Sequence, residues 1–91
     1  MINVDDISVL LIYEENEHVD YKCPCFEFTI STLGDLNIIN EYKKYLGNLF
    51  NIDYNIIDHH CYFWGELLLS IPFYDSKNFQ SAKITLKVMY G

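Results

Sequence analysis

The apolar residues of this chain fall in short runs cut by polar, turn-forming stretches, and this punctuation restricts it to short strands and a single helix around one small core. The run Ile7-Ser8-Val9-Leu10-Leu11-Ile12-Tyr13 is β-branched and apolar and stops at Glu14-Glu15-Asn16-Glu17-His18, so it reads as a buried first strand. Val19 to Ser31 reads as a second strand paired with it in an antiparallel hairpin. In that strand Phe26, Phe28 and Ile30 alternate with Cys25, Glu27 and Thr29, and Pro24 marks a bulge or an edge because it cannot donate to a ladder.

Thr32-Leu33-Gly34-Asp35 has the form of a helix start, with Thr32 as N-cap. Leu36, Ile39, Tyr42 or Lys43, Leu46 and Leu49 follow at helical spacing, and the helix is expected to fray near Gly47-Asn48. Three further strands are expected over 54–63, 66–73 and 82–90. In the last of these Ile84, Leu86, Val88 and Tyr90 alternate with Lys83, Thr85, Lys87 and Met89. The expected fold is α+β: an antiparallel sheet of about five strands in the order β-β-α-β-β-β, with one amphipathic helix packed on one face. At 91 residues the chain is expected to be a single globular domain over 1–91, burying roughly 60 to 65% of its unfolded surface.

Charge narrows the function classes. The net charge is −7, arginine is absent, and the lysines (Lys22, Lys43, Lys44, Lys77, Lys83, Lys87) are scattered. Direct binding of nucleic acid needs a clustered basic surface, so it is not expected. No apolar run approaches the roughly 18 residues of a membrane helix, and the first residues lack the basic and apolar regions of a secretory signal. Three cysteines, an odd number, fit free thiols in a reducing compartment, so a cytoplasmic location is expected. The abundance of Ile, Asn, Tyr, Phe and Lys points to an AT-rich coding sequence of bacterial or phage type.

The string Asp58-His59-His60-Cys61 resembles the four-letter motif of protein palmitoyltransferases. Those enzymes are membrane proteins that carry the motif in a cysteine-rich zinc domain, neither of which this sequence contains, so nothing is carried over. Cys23, Cys25, His59 and Cys61 offer ligand types that zinc accepts, but a single proline between the first two does not match the usual knuckle spacing. A Cys-His nucleophile with Asp58 as its orienting group fails on alternation, since Asp58 and His60 point to one face of a strand while His59 and Cys61 point to the other. Neither an enzyme nor a cofactor is expected.

Acidic and aromatic residues carry the remaining signal. Glu14, Glu15, Glu17 and Asp20 precede the first lysine, and Asp53, Asp58, Glu66 and Asp75 are flanked by Tyr54, Tyr62, Trp64 and Tyr74. Carboxylates alone serve to solvate a surface, and aromatics alone serve to fill a core. Together they also suit a face that meets a basic partner, with carboxylates steering and aromatics anchoring. The expected function is a small acidic protein-binding inhibitor, of the immunity, antitoxin or phage anti-defence kind such as an anti-CRISPR protein, which occludes a basic nuclease or defence effector. The partner-binding residues expected are Glu14, Glu15, Glu17, Asp20, Asp53, Tyr54, Asp58, Tyr62, Trp64 and Glu66. The alternatives are a structural or assembly subunit that forms a homodimer or larger homo-oligomer through a sheet edge, and a zinc protein built on Cys23, Cys25, His59 and Cys61.

Overall fold

A computed structural model of the chain describes residues 2–15, 17–31, 35–62 and 65–91. Strands β1 (Ile7–Tyr13) and β2 (Cys25–Ile30) are followed by helix α1 (Leu36–Phe50), strands β3 (Asp58–Cys61) and β4 (Leu67–Pro72), and helix α2 (Ser76–Tyr90). The four strands form one sheet in the order β1-β2-β4-β3, with every neighbouring pair antiparallel. The α+β class and the antiparallel sheet hold as expected.

The C-terminal element differs from its expectation. Residues 82–90, read as the cleanest strand, lie in α2, because Phe79, Ala82 and Leu86 recur at helical spacing and are buried with Tyr90 half-buried behind them. Ile84 and Val88, which strand alternation would bury, are 68% and 80% exposed. The stretch Asp75-Ser76-Lys77-Asn78, taken for a break between strands, is the start of this helix, where the Asp75 side chain accepts the backbone N–H groups of Lys77 and Asn78.

Smaller differences follow from local chemistry. Asp35, not Thr32, caps α1 by accepting the Ile38 N–H at 3.1 Å; Thr32 lies outside the described residues. The helix continues past Gly47 to Asn51, whose φ of 56° places it in the left-handed region that closes helices, and Ile52 N–H returns to Gly47 C=O at 2.8 Å. Strand β2 begins only at Cys25, so Pro24 sits immediately before a central strand rather than on an edge. Its carbonyl accepts the Phe73 N–H at 2.8 Å, and the register shift falls instead on β1, between Val9 and Leu11. The expected strand over 54–63 is divided into a short 3-10 turn at Tyr54–Ile56 and β3.

Both helices lie on one face of the sheet. Phe26, Phe28 and Ile30 of β2 and Leu67, Leu69 and Ile71 of β4 pack against Ile39, Tyr42, Leu46 and Phe50 of α1 and Phe79, Ala82 and Leu86 of α2. Five phenylalanines, at 26, 28, 50, 73 and 79, meet ring to ring, with the Phe26 and Phe73 centroids 4.6 Å apart. Each such ring contributes roughly 1.5 to 3 kcal/mol by leaving water. Much of the aromatic content therefore belongs to the core, and the sheet's other face is left for polar groups.

Candidate functional site

Alternation on β2 sends Cys25, Glu27 and Thr29 to the face away from the helices. The register then lines up a row across that face, Leu11–Glu27–Ser70–Asp58, from one edge strand to the other. Beside it runs a second row, Ser8–Thr29–Leu68–His60.

The connection between β1 and β2, residues 14–24, folds over this outer face. His18 Nε2 lies 2.8 Å from Glu27 Oε2, Ser70 Oγ donates to the same oxygen at 3.2 Å, and the Tyr21 hydroxyl donates to Asp58 on the far edge. The rings of Tyr13 and Tyr21 flank His18 at 4.8 and 4.9 Å. Burial raises the Tyr13 phenol, with the Glu27 carboxylate adding to the effect. Tyr21 is likewise raised, first by burial and then by its bond to Asp58. Both phenols stay protonated donors at neutral pH.

The arm therefore joins two acidic groups that are far apart in sequence. It carries Glu14, Glu15, Glu17 and Asp20, all exposed, and Tyr21 brings it against Asp58. Tyr62 and Glu66 sit half-buried at the β3–β4 connection, where the Tyr62 N–H donates to the Glu66 carbonyl at 2.8 Å and the Tyr62 ring lies 5.1 Å from His60. Asp53 and Tyr54 belong elsewhere: Asp53 caps the turn at 54–56, while Tyr54 packs on the core with the Lys44 ammonium 5.3 Å from its ring. Trp64 lies outside the described residues.

The four residues suited to zinc do not converge. Cys25 pairs with Pro72 at one end of β4 and Cys61 with Leu67 at the other, and the odd spacing sends their side chains to opposite faces. No group of three or more His, Cys, Asp or Glu among the described residues could hold a metal ion. Burial pushes the Cys25 thiol up to about 12, helped by Glu27 and Cys23, and burial also raises Cys23. Neither is a thiolate nucleophile near neutral pH. His59 is lowered, chiefly by burial and then by Lys43, with Asp58 opposing the shift.

His18, Tyr21, Glu27 and Ser70 organise the outer face, and the sequence reading passed over them as site residues. One signal was present: Glu27 stands between two buried phenylalanines in a strand that pairs on both sides, a position that calls for a buried partner. No helix among the described residues is long and apolar enough to cross a membrane. No protein-family model matches the chain, and neither a curated protein nor a solved structure is similar to it.

Proposed function

We propose that this domain is a small acidic protein-binding inhibitor, of the immunity, antitoxin or phage anti-defence kind such as an anti-CRISPR protein, which occludes the nucleic-acid site of a basic nuclease or defence effector. The supporting observation is the docking of the arm, which carries the exposed Glu14, Glu15, Glu17 and Asp20, onto the sheet through His18–Glu27 and Tyr21–Asp58. Carboxylates outnumber lysines here: Glu14, Glu15, Glu17, Asp20 and Asp58 stand against Lys22 of the arm, Lys83 of α2, which pairs with Glu14 at 2.6 Å, and Lys43 of α1, whose charge acts on Asp58.

Such a face attracts a cationic groove over a Debye length, raising association rates by about 10 to 1000-fold at low salt. Tyrosines at its margin add apolar area with a polar tip. In this reading the domain binds and does not catalyse, needs no cofactor, and works in the reducing cytoplasm.

The test is capture from lysate of the native host or a competitor strain at low and moderate salt, followed by association kinetics with the captured partner. The expected result is a basic nucleic-acid-acting protein, held more weakly as salt rises, whose association slows about tenfold or more when Glu14, Glu15 and Glu17 are all changed to Lys. An unchanged rate at low salt would remove steering by the arm. Self-association that strengthens with salt would instead favour a homo-oligomeric assembly subunit, a reading supported by β1 and β3 being edge strands among the described residues.

A further inference from the structure

We infer that the groove between β1 and α2 binds an extended segment of another protein, which joins the sheet beside β1 with apolar side chains at alternate positions and a cationic side chain at each end. Among the described residues no strand lies beyond β1, so alternate backbone N–H and C=O groups along Ile7–Tyr13 point outward and are available for pairing. The groove beside them has a volume of about 620 Å³, with Val9 and Ile12 from the strand and Ile84, Leu86 and Tyr90 from the helix in its walls. Along α2 the apolar surface continues onto Val88, which is 80% exposed. A strand added here would send every second side chain over Ile12 and Ile84, the arrangement by which strand-addition sites read alternate residues. The Tyr90 hydroxyl is buried with no hydrogen-bond partner among the described residues, a polar group that a bound chain can satisfy.

Charge selects the occupant. Asp5 and Asp6 precede β1 and Glu14 and Glu15 follow it, so carboxylates stand at both ends of the open edge. Of the two lysines in the groove, Lys83 is already paired with Glu14 at 2.6 Å, which leaves Lys87 as the other cation there. A second copy pairing antiparallel through β1 with its register centred on residue 10 would set Asp5 against Glu15 at each end, and like charges directly opposed are destabilising. A segment with Lys or Arg at each end meets the same carboxylates with the opposite sign. The inference rests on the edge and its groove and does not require that the partner be an inhibited enzyme.

The test uses the full chain, isotope-labelled, and a synthetic peptide with blocked termini, valine at alternate positions and lysine at each end. Titration should shift the backbone amides of Ile7–Tyr13 and the methyls of Ile12 and Ile84. A peptide with glutamate at each end should bind about tenfold or more weakly, as should the lysine peptide to Ile84→Glu. Position 84 is exposed, and the spectrum of the variant reports whether its fold is intact. Three outcomes would overturn the inference: unmoved β1 amides at millimolar peptide, equal affinity for the two peptides, or β1 shifts that track protein concentration without peptide. The last would give the edge to a second copy.

Discussion

His18 Nε2 lies 2.8 Å from Glu27 Oε2, and this contact fastens a stretch of surface chain to the middle of the sheet. The other ring nitrogen accepts the Asp20 backbone N–H at 3.0 Å, so the neutral ring carries its proton on Nε2, facing the carboxylate. Glu27 is 7% exposed, and a carboxylate so placed is tolerable only while donors surround it. The acidic arm and the buried glutamate thus depend on each other.

Removing the imidazole should therefore release the arm before it unfolds the domain. His18→Ala is expected to cost about 1 to 3 kcal/mol, the penalty for a buried polar group that loses a partner. Amide exchange and proteolysis within residues 14–24 should quicken more than in β2 or β4. Replacing Glu27 by Gln as well should recover part of the loss, because the uncompensated charge is then gone. Unchanged exchange in the arm of His18→Ala would mean that Tyr21–Asp58 alone holds it down.

Gly47 sets a different constraint. It lies buried inside α1, and a Cβ there would stand 2.8 Å from the Ile52 carbonyl oxygen and 3.2 Å from Tyr54 Cβ. Alanine is the better helix former by about 0.8 to 1 kcal/mol, but overpacking against backbone costs about 1 to 3 kcal/mol. Gly47→Ala should therefore be neutral to destabilising by up to about 2 kcal/mol in urea denaturation, with Tyr54 and the turn at 54–56 displaced. A clear stabilisation would show that the chain after Asn51 yields without cost.

The sequence made the α+β class, the β1–β2 pair, α1 and β4 legible, because each carries one dominant periodicity over its length. It misled over 82–90, where Ile84, Leu86, Val88 and Tyr90 satisfy strand alternation while Phe79, Ala82, Leu86 and Tyr90 satisfy a helix. Asp75 capping the first turn and the uninterrupted run of helix-compatible residues decide between them. Glycine at position 47 suggested an ending where the structure uses it for close packing, since the two roles look alike in sequence. On the candidate site, the acidic residues of the arm were visible as charge. Their union with Asp58 was not, because it depends on a tertiary contact across four strands.

The cysteines offer a pH-dependent test of that outer face. All three are free thiols, with Cys61 exposed and Cys23 and Cys25 buried. Burial pushes Cys25 to about 12 from an ordinary thiol value of 9.0, with Glu27 and Cys23 adding to the shift. A thiol whose folded value is raised loses its proton first in the unfolded chain. Between about 9 and about 12 the native state therefore holds more protons, and stability falls as pH rises through that window. Below it the thiol makes no pH-dependent contribution. Denaturation midpoints should thus decline above about pH 9, and Cys25→Ala should flatten part of that decline while lowering stability near pH 7 by about 1 kcal/mol through the small void it leaves. Alkylation of the folded protein near neutral pH should modify Cys61 first and spare Cys23 and Cys25 until the chain unfolds. Rapid modification of Cys25 at neutral pH would mean that the 14–24 arm opens on the timescale of the reagent and that its docking to Glu27 and Asp58 is a minor state.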